Sequence, residues 1–143
     1  MSNTDVIVKL LGGKKALGKK VETNDDLISI VRHGLPFVSF QHVVNIVEGE
    51  EDLISYLKMS TRTLARRRRQ VRLRPDESDR VLRLARIVAR AEEVFGEGKK
   101  AVRWLQKPNR TLGGISPLSL LDTDIGTEKV IHVLGRIEHG VIA

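Results

Sequence analysis

The sequence predicts an all-α chain, an N-terminal helix-turn-helix DNA-binding domain followed by a second, small helical domain. Three observations predict it. Apolar residues recur at helical spacing where they cluster, as at Phe40, Val43, Val44 and Val47 or at Val81, Leu84, Ala85 and Val88. Gly34, Gly49, Pro75, Gly96 and Pro108 fall between such clusters, where they punctuate helices. Finally, Lys58 to Arg74 carries eight Lys or Arg and no acid, and it contains Ser60, a residue type that starts helices.

Composition bounds the function. The chain has 143 residues, enough for one domain or two small ones sharing a core. With 41% apolar and 30% charged residues it is globular in composition, and five aromatics leave the core mostly aliphatic. The net charge is +7, unevenly placed: residues 1 to 73 hold 13 bases and 8 acids, residues 74 to 143 hold 12 and 10. The absence of cysteine excludes disulfides and thiolate metal sites and suits a reducing compartment. No run of 18 apolar residues and no signal-peptide core is present, so a cytoplasmic protein with no membrane partner is expected.

Residues 1–23 hold Val6, Ile7, Val8, Leu10 and Leu11 ahead of Gly12-Gly13 and four lysines, which fits a short helix or a mobile arm, the arm being the blander reading. From there to residue 74 a helix-turn-helix domain is expected. Asn24 or Asp25 caps a helix bearing Leu27, Ile28, Ile30 and Val31 that Gly34 ends. Pro36 fits a turn or the first turn of a second helix, which is stopped at Gly49. Its many β-branched residues make a strand the rival, but the apolar spacing is helical. Glu50 to Met59 places Leu53, Ile54 and Leu57 on one face, and Ser60 then caps a helix over Thr61 to Gln70 with Leu64 and Ala65 inward.

Residues 75–143 form the second domain. Pro75 takes the first helical position and Asp76 and Glu77 suit the positive helix end. Val81, Leu84, Ala85, Val88, Ala91 and Phe95 then trace one face, with Gly96 as the stop. Arg80, Arg83, Arg86 and Arg90 keep to the other side, read as a solvated face rather than an extension of the DNA footprint. A short helix over Lys99 to Lys107 closes at Pro108-Asn109. Leu112-Gly113-Gly114 makes a tight turn, Ser116 caps a turn led by Pro117, and Thr127 to Glu138 is the last helix. The apolar end Val141-Ile142-Ala143 suggests docking against something.

A one-signed run of this size repels itself and persists when an anion relieves it, so nucleic acid is the first candidate partner. In a helix-turn-helix the second helix presents its N-terminal residues to base edges while later arginines reach phosphates. Thr61, Arg62, Thr63 and Arg66 are the candidate readers, with Ser60 beside them, and Arg67, Arg68, Arg69 and Arg72 the candidate clamps. Lys58 stands where many such motifs have a turn glycine, and a basic solvated helix or an unspecific phosphate patch is the alternative. Two half-sites with matching symmetry imply a homodimer. His33, His42, His132 and His139 lack metal-ligand spacing or a Ser or Cys partner, so a binding protein without metal or cofactor is expected rather than an enzyme.

The order of residues also resembles a family. Glu77-Ser78-Asp79-Arg80, Leu84-Ala85-Arg86, Ala91-Glu92-Glu93-Val94-Phe95-Gly96, Trp104-Leu105, Pro108-Asn109, Leu112-Gly113-Gly114, Pro117-Leu118, Leu121, Leu134-Gly135-Arg136-Ile137 and His139-Gly140-Val141 are similar to the Xre/MbcA/ParS antitoxins of bacteria. Arg62-Thr63-Leu64-Ala65-Arg66-Arg67 and Leu11-Gly12-Gly13 extend the likeness over nearly the whole chain. Arg74 departs from it, standing where the family often has a serine cap.

The resemblance implies a type II antitoxin whose C-terminal domain binds a cognate RES-domain toxin, an NAD-degrading enzyme, and whose helix-turn-helix represses the operon at operator DNA. Under it, Trp104, Pro108, Leu112, Gly113, Gly114, Pro117, Leu118 and Leu121 shape the toxin-binding domain. Arg136, Ile137, Glu138, His139, Gly140, Val141 and Ile142, with Ala143, lie over the toxin's active-site cleft. Large apolar members such as Trp104, Leu105 and Leu112 serve packing as readily as contact. The alternative is a stand-alone helix-turn-helix regulator with a C-terminal dimerisation or sensing domain; an RNA binder is weaker, because the basic run lacks interleaved aromatics.

Overall fold

The computed structural model describes residues 3–47 and 55–140, and among these every regular element is helical. The chain divides into two compact units, Met1–Ala85 and Arg86–Ala143.

The first unit begins with α1 (Asn3–Leu10) and α2 (Gly13–Leu17), so the segment that sequence left open as arm or helix is helical. Both pack against α4 (Phe37–Val47), burying Ile7, Leu10, Leu11 and Leu17. Helix α3 (Asn24–His33) is capped by Thr23, one residue before the expected Asn24. Thr23 Oγ1 accepts from the Asp26 amide at 3.1 Å, while the Asp26 carboxylate accepts from the Glu22 and Thr23 amides at 2.9 and 3.0 Å. This reciprocal box satisfies donors that a helix start otherwise leaves open, and those backbone bonds hold the Asp26 carboxyl below its ordinary value.

Gly34 ends α3 at φ 99°, and a Cβ there would run into the Leu73 carbonyl. That close approach is used: Leu73 N donates to Leu35 O and Phe37 N to Val71 O, both at 2.9 Å. Helix α4 is a helix as its spacing predicted, with Phe37, Phe40, Val43 and Val47 buried. Its expected stop at Gly49, and residues 50–54 of the helix expected over Glu50 to Met59, lie outside the described residues; residues 55–57 are helical. Lys58 then takes φ 54°, the left-handed turn that a glycine would adopt without strain.

Helix α5 (Thr61–Gln70) has the expected bounds, with Ser60 Oγ accepting from the Thr63 amide at 3.1 Å. Leu64 faces inward, but Ala65, also expected there, is exposed. Helix α5 stops at Val71 in the left-handed region. Helix α6 (Pro75–Phe95) starts at Pro75, and Glu77 Oε1 accepts from the Arg74 amide at 2.8 Å. An acid in the third helical position thus caps backwards where Arg74 supplies no side-chain acceptor.

Of the four arginines expected to form one solvated face of α6, only Arg86 is exposed. Arg80 Nη1 donates to Leu57 O at 3.1 Å, and Arg83 pairs with Asp79 at 3.7 Å. The long apolar stems of such residues cover surface while their heads find partners, so an arginine off the apolar stripe need not be solvated.

In the second unit, α7 (Gly98–Gln106) buries Ala101, Val102 and Leu105. A 3-10 turn at Arg110–Leu112 is capped by Asn109, and Gly113 and Gly114 at φ 83° and 87° turn the chain so that Asn109 N meets Ile115 O at 2.9 Å. A second such turn, Pro117–Leu120, is capped by Ser116 and packs on both α7 and α8 (Asp124–Glu138). Helix α8 starts three residues before the expected Thr127, because Thr123 Oγ1 accepts from the Gly126 amide at 2.9 Å. Gly126 resembles a breaker in sequence, but it lies against the Leu120 carbonyl, which any side chain would strike.

Candidate nucleic-acid and partner interfaces

The arginines of α5 divide by where their neighbours are. Arg62, Arg66 and Arg69 are exposed and form no ion pair with described residues. Their spacing of four and then three residues puts them in one stripe along the helix. Exposed Ala65 and Thr61 lie next to that stripe, and the first turn of α5 contains no acid. Arg62 in the first turn therefore adds a cation to the positive pole of the helix, and Arg66 and Arg69 continue the positive stripe toward its other end, an arrangement that attracts phosphates.

Three expected clamps have partners within the protein, and one of them is buried there. Arg67 is a correction: its Nε donates to Glu77 Oε1 at 2.7 Å and its Nη1 to Gln70 Oε1 at 3.1 Å, in a buried position. The Glu77 hydrogen bond, ahead of burial's opposing effect, raises the Arg67 pKa. Arg67 anchors α5 to α6 rather than facing outward as a clamp.

Arg68 and Arg72 are exposed yet engaged. The Arg68 guanidinium stands 5.4 Å from the Phe37 ring centroid, beside a groove of about 420 Å³ between α4 and α5. Arg72 Nη1 donates to Gly34 O at 2.7 Å. Ser60 and Thr63 are bonded to one another, Oγ to Oγ1 at 3.0 Å, so Ser60 is spent on capping, while Thr63 is half-buried.

The residues singled out for toxin contact divide the same way. Leu112, Pro117, Leu118 and Leu121 are buried and build the second unit's core. They shape that unit from within, packing where a contact role was also expected. Trp104 is half-buried with its ring 5.6 Å from that of Phe95. Pro108, His139 and Gly140 are exposed, Arg136 and Ile137 half-buried, and Val141 and Ile142 lie outside the described residues.

Glu138 ends α8 with both carboxylate oxygens occupied: Arg90 Nη2 donates to Oε1 at 2.8 Å and Arg90 Nη1 to Oε2 at 2.9 Å. That pairing holds the Glu138 carboxyl below the usual carboxylate range. Arg90 escaped the sequence reading because its partner lies 48 residues away. Glu77 was read only as favourable to the helix dipole, although its place three residues after Arg74 signals the backward cap. No described helix is long and apolar enough to cross a membrane.

Comparison with known proteins identifies both parts. Residues 26–86 match the antitoxin Xre-like helix-turn-helix domain, and residues 90–140 match the antitoxin Xre/MbcA/ParS C-terminal toxin-binding domain. The chain is 31% identical over 132 residues to antitoxin Xre of Photorhabdus laumondii, covering 90% of this chain and 89% of that one. It is 49% identical over 65 residues to antitoxin Xre of Pseudomonas putida, covering 46% of this chain and 41% of that one. A Sphingobium protein named Prs ADP-ribosylating antitoxin is 26% identical over 129 residues, 82% of this chain and 81% of that one. The chain therefore belongs to the Xre antitoxin family, with a helix-turn-helix domain for DNA and a toxin-binding domain.

Proposed function

We propose that this antitoxin neutralises a RES-domain toxin that degrades NAD, and that it represses its own operon by binding the operator. In this reading residues 24–74 contact DNA and residues 75–143 contact the toxin, and a homodimer within the larger complex matches two operator half-sites. The observation that carries the DNA half is the exposed stripe of Arg62, Arg66 and Arg69, cations without an ionic partner among the described residues. Thr61 and Arg62 at the helix start read base edges. Arg66 and Arg69 follow along the groove, and exposed Arg68 and Arg72 border the backbone.

For the toxin half, the segment from Arg136 to Ala143 covers the active-site cleft, with exposed Pro108 at the rim of the contact. The support is the family membership together with the exposure of His139 and Gly140 at the end of α8. The Sphingobium relative's name favours a second reading of the toxin's chemistry, in which NAD is a donor for ADP-ribosylation rather than a molecule to be destroyed.

Co-expression with the toxin encoded beside it, followed by NAD assay and sizing of the complex, tests the reading. A stable complex that preserves cellular NAD supports it. Undiminished NAD loss in its presence overturns it. Protein-bound ADP-ribose formed by the free toxin selects the second chemistry. An operator fragment that binds the chain in the absence of any toxin, in a response set by a small inducer, would instead favour a stand-alone regulator.

A further inference from the structure

An acid is badly placed at the end of a helix. The last carbonyls and the macrodipole make that end negative, and Glu138 adds a charge of the same sign in the final residue of α8. Terminal turns also open at little cost in free energy. Both liabilities are answered by one side chain from α6. Arg90 grips Glu138 with two parallel bonds of 2.8 and 2.9 Å, and its Nη1 is itself steadied by Glu93 Oε2 at 3.0 Å. Arg136 and Ile137 are half-buried in the same turn, whereas His139 and Gly140 beyond it are exposed.

We infer that Arg90 is a positioning residue for toxin capture: by clamping Glu138 it holds the last turn of α8 and sets where exposed His139 and Gly140 stand. The inference rests on the toxin reading above and deepens it. It reassigns Glu138, whose carboxylate faces its own domain, from toxin contact to anchor. An isolated surface ion pair contributes little, but this one is bidentate and opposes only the fraying of a single turn. Where just a fraction of molecules holds the binding-competent geometry, apparent affinity falls in proportion to that fraction. Loss of the clamp therefore weakens inhibition modestly, by roughly three- to tenfold.

The test uses the full chain with Arg90→Ala, Glu138→Ala and the reversed pair Arg90→Glu/Glu138→Arg. Three quantities are read: the inhibition constant against the toxin's NAD consumption, amide exchange at Ile137 to Gly140, and operator affinity. Each single variant is expected to weaken inhibition three- to tenfold and to speed exchange in that turn, with operator affinity unchanged; the reversed pair recovers most of both. Wild-type inhibition by Arg90→Ala overturns the inference. So does a reversed pair no better than the singles, since that marks direct contact with toxin. A wild-type chain that does not inhibit at all overturns the toxin reading itself, a result separate from the comparison among variants.

Discussion

Arg67 and Glu77 join α5 to α6, the helix that follows it: Nε and Oε1 are 2.7 Å apart, and the two side chains are only 7% and 6% exposed. The same Glu77 oxygen accepts from the Arg74 amide at 2.8 Å. A guanidinium from the most basic stretch of the chain thus spends its charge on internal order.

Removing one member of a buried pair strands the other without a counter-charge, which costs about 3 to 5 kcal/mol. Arg67→Ala is expected to lose that much stability in urea denaturation. Arg69→Ala, at an exposed position, should stay within about 0.5 kcal/mol of wild type. Equal losses for the two would contradict the assignment.

Arg62→Ala and Arg66→Ala are expected to weaken operator binding by about 1 to 3 kcal/mol each where they contact base edges. Both should leave toxin neutralisation and thermal stability intact. Arg69→Ala should instead lower the log-log salt slope by about 0.9, the signature of one lost phosphate contact. Fluorescence anisotropy on an operator duplex at several salt concentrations measures both effects.

Val71 adopts φ 67° and is 62% exposed, so a β-branched residue sits in the left-handed region without burial in return. Left-handed backbone costs a non-glycine residue about 1 to 2 kcal/mol, partly offset by the greater freedom of glycine in the unfolded chain. Val71→Gly should therefore stabilise by about 0.5 to 1 kcal/mol, a rise of roughly 3 °C in Tm. A fall in Tm would show that the exposed valine contributes packing.

Asp26 gives a pH dependence with a definite sign. Its carboxyl is held below the ordinary 3.8, first by the Glu22 and then by the Thr23 backbone amide. A depressed carboxylate pKa contributes stability that is present above the unfolded value and lost as pH falls through the folded one. NMR titration should place the Asp26 midpoint below 3.8, and Asp26→Asn should flatten the stability profile in that acid window. A midpoint at or above the ordinary value refutes the cap.

Local signals were legible in the sequence wherever a few neighbouring residues settle the outcome. Ser60, Gly34, Pro75 and Ser116 start or stop helices where they were expected to. The all-helical class followed from apolar spacing, even over the β-branched stretch of α4. Hidden from it were outcomes that depend on residues distant in the chain. Arg67 and Arg69 look alike in a run of arginines, and only the fold delivers Glu77 to one of them. For Leu112 and Leu121 sequence left packing and contact both open, and the fold buries them. Arg90 looked solvated until α8 brought Glu138 to it.

The two backbone bonds that tie Leu35 to Leu73 and Phe37 to Val71 pin the chain leaving α5 to the start of α4. Together with the Arg67 anchor they tie α5 to both α4 and α6. Under the proposed DNA reading, a new operator preference is then expected to come from exchanging the side chains that α5 displays, with its backbone left where it is.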